Sequence, residues 1–146
     1  MNIVEFKKEQ YILEYFKKCE WGAAKFLYEL IDNDTLNKTL GDNTKIIVLL
    51  DGENVVSFAT YAKQDCIDDK SLYPWIGFVY TDEKYRGNRY SEKVIEYITG
   101  LAKKDKYSSL FLATDHIGLY EKYGFKYIES RIDVYNEESR IYKIEF

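Results

Sequence analysis

The chain has 146 residues, 46% hydrophobic and 32% charged, with a formal net charge of −4. That is enough apolar material for the core of one domain, and the acidic balance excludes general nucleic-acid binding, which needs a basic footprint. No apolar run approaches the roughly 18 residues of a membrane span, and the opening MNIVEFKKEQ lacks the apolar centre of a signal peptide. Cys19 and Cys66 stand in no metal-ligand spacing. The expected setting is the reducing cytoplasm, with no metal, nucleic-acid or membrane partner.

Residues 2–6 alternate and read as a short strand. In QYILEYFKKCE, Ile12, Phe16 and Cys19 recur at helical spacing. Trp21 and Gly22 interrupt, and Ala23, Leu27, Leu30 and Ile31 then mark a second amphipathic helix. KIIVLL at 45–50 is a continuous apolar run, the pattern of a strand covered on both faces. DGEN at 51–54 signals a hairpin, with VVSFATYA as the return strand. DCIDDKSL at 65–72 reads as a loop. YPWIGFVYT at 73–81 reads as a strand, with Pro74 near its start, where a missing amide matters least.

From Arg89 onward, Val94, Ile98, Leu101 and Ala102 give a helix one buried face. SLFLAT at 109–114 is a short buried strand. DHIGLYEKYG at 115–124 predicts a short helix capped by Asp115 and stopped by Gly124. FKYIESRIDVY and RIYKIEF complete the chain as two strands around the turn NEES. The order β-α-α-β-β-β-α-β-α-β-β predicts an α/β fold with a mixed, mostly antiparallel sheet. Strands 73–81 and 109–114, joined by a helix, should run parallel as a central βαβ unit. No repeat or linker divides the chain, so residues 1–146 are expected to form a single domain.

The corner TDEKYRGNRYSEKV at 81–94 gathers Lys84, Arg86, Arg89 and Lys93 on an acidic chain. A helix start exposes unpaired N–H groups and the positive end of the helix dipole, which together favour an anion. Gly87 allows close approach to the main chain, and two arginines can pair with a pyrophosphate. A merely solvated basic face is the other reading of the same residues.

YRGNRYSEKV, followed by LFLATDHIGLYEKYGF, resembles the GNAT superfamily of N-acetyltransferases. The family's acetyl-CoA signature is Q/R-x-x-G-x-G/A. Arg86 fills its first position, Arg89 stands where the central glycine belongs, and Ser91 is the last small residue. Leu119, Tyr120, Glu121, Lys122, Gly124 and Phe125 match the family's L-Y-E-K-x-G-F block. The resemblance covers nearly the whole chain and implies a GNAT-like fold that binds acetyl-CoA. Pantetheine would lie between splayed strands 73–81 and 109–114, bonded to the backbone of Val79 and Thr81. The pyrophosphate would sit on the amides of Arg86, Gly87, Asn88, Arg89, Tyr90 and Ser91.

Acetyl transfer to an amine needs a neutral nucleophile, a donor for the oxyanion and a proton for the leaving thiolate. Tyr120 matches the family tyrosine near the sulfur. A phenol with pKa about 10 keeps its proton at neutral pH and can donate it. The alternative is one more packed ring among fifteen tyrosines. His116, the only histidine, reads either as a substrate contact or as a surface residue. Strand 73–81 carries no acid to serve as base. Cys19 and Cys66 lie in no nucleophile motif, so transfer should be direct.

Trp21, Tyr61, Tyr73 and Trp75 are expected on the acceptor side, with core packing as the alternative for each. In the resembled fold the regions that carry Asp65, Asp68, Asp69, Glu14 and Glu20 border the acceptor mouth, where these acids would favour a cation; solvated loop charges are the other reading of the same residues. The implied partner is a small-molecule or peptide amine, and a homodimer stays open. A non-catalytic acyl-CoA-binding module, or an interaction domain with a vacant cleft, remain the competing readings.

Overall fold

The computed structural model describes residues 1–146. The strands are β1 (Asn2–Glu5), β2 (Lys45–Asp51), β3 (Asn54–Ala62), β4 (Trp75–Thr81), β5 (Ser109–Thr114), β6 (Lys126–Ile132) and β7 (Glu138–Glu145). The helices are α1 (Gln10–Lys18), α2 (Gly22–Asp32), α3 (Leu36–Leu40) and α4 (Tyr90–Lys104), with short 3-10 turns at Glu83–Tyr85 and Tyr120–Tyr123. No helix is long and apolar enough to cross a membrane.

The strands form one seven-stranded sheet in the order β1-β2-β3-β4-β5-β7-β6. Every neighbouring pair is antiparallel except β4 and β5, which α4 connects in parallel. This is the mixed sheet with a central βαβ unit that the element order predicts.

Alternation along β2 builds both faces. Ile47 and Leu49 pack with Val94, Ile95, Ile98 and Ala102 of α4. Ile46, Val48 and Leu50 pack with Ile12 and Phe16 of α1 and Ala24 and Leu27 of α2. A helix layer on each face explains why this strand is apolar throughout. The DGEN turn forms as expected, with Asp51 opposite Asn54 and Gly52 at φ +62.

Four boundaries differ from the sequence reading. Strand β4 begins at Trp75, so Tyr73 and Pro74 precede it. The short helix α3 carries no periodic signal in five residues. Residues 115–119 do not form a helix, and Asp115 caps nothing: Thr114 Oγ1 accepts the His116 N–H at 3.1 Å instead. The Glu121 carboxylate accepts the Gly118 N–H at 3.0 Å, which holds this stretch as a loop; Gly124 ends the 3-10 turn in a left-handed conformation, as expected.

The final turn lies earlier than NEES. Asp133 Oδ1 accepts the N–H groups of Tyr135 and Glu137 at 2.9 and 3.0 Å, and Ser139 donates to its other oxygen at 2.8 Å. These bonds end β6 at Ile132 and release Val134 and Tyr135 from the sheet.

Candidate active site

The site begins where β4 and β5 separate. The two strands pair only at Trp75 with Phe111 and Ile76 with Leu112. Beyond Ile76, Phe78 adopts φ +51 and the β3–β4 register shifts, so β4 bulges away from its neighbour. The edge of β4 from Gly77 to Thr81 therefore faces β5 across a slit rather than across a ladder.

Past the end of β4 the chain turns into α4 through the basic corner. Gly87 has φ +85 and Arg89, the residue before the helix, has φ +57. Asn88 ties the loop together by donating to the Tyr85 and Arg86 carbonyls at 3.0 and 3.3 Å. The five amides from Gly87 to Ser91 donate to no backbone carbonyl. They form a row of unpaired donors at the positive end of a four-turn helix.

The two arginines flank this row differently. Arg86 Nε donates to the Thr81 carbonyl at 3.0 Å, and its guanidinium lies over the Tyr80 ring. Arg89 lies over the Tyr123 ring and pairs with Glu92 through two 2.9 Å bonds.

Three cavities meet along this path. The first, about 570 Å³, is lined by Val79, Thr81, Arg86, Gly87, Arg89 and Ser91 among others. The second, about 310 Å³, is the slit itself, between Gly77–Val79 and Leu112–Asp115. Tyr120 and His116 line both. The third, about 500 Å³, is an apolar chamber walled by Trp21, Phe26, Phe78 and Tyr135. Phe78 joins the slit to the chamber, and Trp21 lines all three spaces. Its indole stacks on Tyr80, with centroids 5.0 Å apart and planes 10° from parallel.

Tyr120 is 4% exposed and packs edge-on against Tyr123 and Phe125. Burial, then the charges of Tyr123 and Asp115, push its phenol well above the ordinary tyrosine range.

The predicted acceptor aromatics divide. Trp21 reaches the cleft. Trp75 is 1% exposed, packs on Phe111 and donates from Nε1 to the Leu72 carbonyl at 2.7 Å. Tyr61 packs in the α4-side core and its hydroxyl donates to Asp105 at 2.8 Å, at a different depression. Tyr73 sits edge-on to Tyr107. None of these three lines the connected cavities. The acids divide too. Asp65, Asp68 and Asp69 line the apolar chamber, while Glu14 and Glu20 line a separate hollow beside α1.

Sequence reasoning missed Phe26, Phe78 and Tyr135. The available signal was Gly77: a lone glycine in a strand pattern marks a bulge or a close approach. A Cβ there would stand inside the contact radius of Asp65 Oδ1 and 3.0 Å from Thr60 Oγ1.

The α/β sheet is split at its only parallel pair, with a row of free amides beyond the split, a shape and polarity suited to an elongated anion. The family follows from direct comparison. A model described as the acetyltransferase (GNAT) family matches residues 8–125, and the chain belongs to that family. Its fold is similar to an acetyltransferase from Streptococcus agalactiae, at 23% identity and TM-score 0.71, covering 99% of this chain and 98% of the other. It is also similar to the aminoglycoside 6'-N-acetyltransferase from Enterococcus faecium, at 13% identity and TM-score 0.70, covering 99% and 97%. A Bacillus anthracis structure in complex with acetyl coenzyme A, described as a streptothricin acetyltransferase, is 22% identical with TM-score 0.59. That match covers 71% of this chain and 63% of the other. A search of curated protein sequences finds no match.

Proposed function

We propose that this chain moves an acetyl group from acetyl-CoA directly to the amine of a small molecule or peptide. One observation carries the reading: the cavity at the five free amides, the slit at Tyr120 and the apolar chamber lie side by side, with Trp21 in the wall of each. The thioester would supply the activated acetyl group.

Gly87, Asn88, Arg89, Tyr90 and Ser91 would hold the pyrophosphate on their N–H groups, with Arg86 and Arg89 adding charge beside it. The open edge of β4 at Val79 and Thr81 would accept the pantetheine amides as an added strand. Tyr120 would hand its proton to the departing thiolate, and its raised pKa keeps that proton in place until then. His116, which lines the same two cavities as Tyr120, would border the reacting group. Burial, followed by the Asp65 charge, pushes the Cys66 thiol far above its ordinary range, and Cys19 is buried in the α1–α2 core. The Cys66 thiol is therefore unsuited to a covalent relay, which needs a thiolate, and Cys19 lines none of the three cavities.

The test joins calorimetry with CoA to thiol release from acetyl-CoA across a panel of amines. Binding with amine-dependent thiol release is expected. Binding without release for any amine would leave a cofactor-binding role alone, and a protein that takes up no CoA would sink the reading.

A further inference from the structure

We propose that Asp65 binds the acceptor's ammonium group and takes its proton, and that the acceptor is a monoamine carried on an apolar, ring-sized body. The chemistry rests on the acetyl-transfer reading; the binding claim does not.

Position argues first. Asp65 lies on the β3–β4 loop and lines the chamber, yet its Oδ1 rests against the backbone of Gly77, where β4 leaves β5. Gly77 also lines the slit. The carboxylate thus stands where chamber and slit adjoin, on the chamber side. Glycine at 77 is what leaves room for it. Behind it, the Thr60 hydroxyl is fully buried without a hydrogen-bond partner.

The other charges nearby are committed elsewhere or exposed. Asp69 accepts from Arg131 at 2.6 Å and from the Ser71 hydroxyl at 2.6 Å. Asp68 and Lys70 are exposed at the rim, and Glu137 and Glu138 line the slit from its exposed side. Asp65 has Cys66 and Tyr135 as its titratable neighbours, and both stay protonated because burial raises them. Burial likewise raises Asp65 to about 6, partly offset by the Cys66 amide and thiol. A carboxylate of that strength is ionised at neutral pH and can still hold a proton briefly.

The chamber states what kind of amine fits. Phe26 stacks with Phe78 at 6.3 Å and meets Tyr135 edge-on at 6.5 Å. Trp21, Leu40, Ile67 and Val134 complete an apolar wall. Of the three lining carboxylates only Asp65 is neither paired nor at the exposed rim, and one such carboxylate beside aromatic faces suits one cation on an apolar body. The remaining polar lining groups, Thr39, Gln64, Asp68, Asp69 and Lys70, are neutral, tied to Arg131 or exposed at the rim, so the further amines of a polyamine or the hydroxyls of an aminosugar would meet rings beside Asp65.

The protons balance. The bound ammonium gives one proton to Asp65, and the neutral amine attacks the thioester carbonyl. The C–N bond forms, the nitrogen loses its second proton, and the C–S bond breaks. The thiolate takes a proton from Tyr120, which recovers the one lost by nitrogen. Asp65 releases its proton to solvent, leaving acetamide and thiol.

The experiment measures binding of 2-phenylethylamine and of 2-phenylethanol by calorimetry, with and without CoA. It also measures kcat/KM against pH for wild type, Asp65→Asn and Asp65→Ala. The amine should bind roughly tenfold tighter than the alcohol, as expected for a charge-assisted bond. Both variants should erase that preference, lower kcat/KM by on the order of 10²-fold or more, remove its acid limb near pH 6, and leave CoA affinity unchanged. Equal binding of amine and alcohol overturns the inference even if neither variant folds. So does preferred turnover of a polyamine or aminosugar, or an unchanged pH profile in a folded variant. Loss of CoA binding in wild type would instead sink the transfer reading, and amine binding would still decide the role of Asp65.

Discussion

The Tyr15 hydroxyl of α1 donates a 2.6 Å hydrogen bond to Asp82, the residue that follows β4 and caps the turn into the basic corner. The other Asp82 oxygen accepts the Lys84 N–H at 2.9 Å. Burial opposes ionisation of Asp82, but these bonds and the nearby charges of Lys84 and Arg86 outweigh it and hold its pKa below the usual range. A helix on one face of the sheet thereby fixes the approach to the row of amides. Replacing Tyr15 with Phe should cost about 1 kcal/mol of stability and weaken CoA binding several-fold. Denaturant melts and calorimetry check both; unchanged CoA affinity would show that the corner holds itself.

Arg89 occupies a left-handed backbone conformation that glycine adopts without strain. The change Arg89→Gly should leave the melting temperature the same or higher, because relief of strain offsets an exposed ion pair with Glu92. CoA affinity should fall only a few-fold, since the amides remain. The double change Arg86→Glu, Arg89→Glu should weaken binding far more, because it sets like charge against the pyrophosphate. A single-glycine variant as defective as the double one would mean that side chains, not amides, hold the anion.

Tyr120→Phe keeps the ring and its packing while removing the proton. Turnover should drop on the order of 10²–10⁴-fold with CoA binding intact. Single-turnover kinetics check this; wild-type chemistry in the variant would exclude the acid role.

Alkaline stability follows from three tyrosines. Burial comes first among the causes that raise Tyr15, Tyr61 and Tyr120, followed by Asp82 for Tyr15 and Asp105 for Tyr61. Their folded pKa values lie above the ~10 of an unfolded tyrosine, so the unfolded chain ionises first. The stability they contribute is full below about pH 10 and declines above it. Denaturant midpoints from pH 8 to 11 should fall accordingly, and Tyr61→Phe should flatten the decline. That variant should also cost about 1 kcal/mol at pH 7 without altering kcat/KM, because Tyr61 lies away from the cleft.

Gly77→Ala tests the seat of Asp65. The added Cβ forces the Asp65 carboxylate, the free end of a side chain, to move. The protein should fold and bind CoA, yet lose amine discrimination as Asp65→Asn does. Retained discrimination would place the ammonium elsewhere.

The element order and the basic corner were legible in the chain because both depend on neighbours in sequence. Apolar periodicity marks which face is buried, and a helix start creates free amides whatever folds around it. The Tyr120 block was legible for the same reason, as one contiguous stretch. The chamber was not. Trp21, Asp65, Phe78 and Tyr135 come from four separate segments, and no spacing along the chain relates them. Tyr135 reaches it only because Asp133 closes the last turn early, and Phe78 only because β4 bulges at a non-glycine residue. Trp75 and Tyr61, equally aromatic in sequence, point into the core because strand alternation is set by sheet register. Which rings line a cavity and which fill the interior is decided by packing between distant segments, and that exists only in the folded chain.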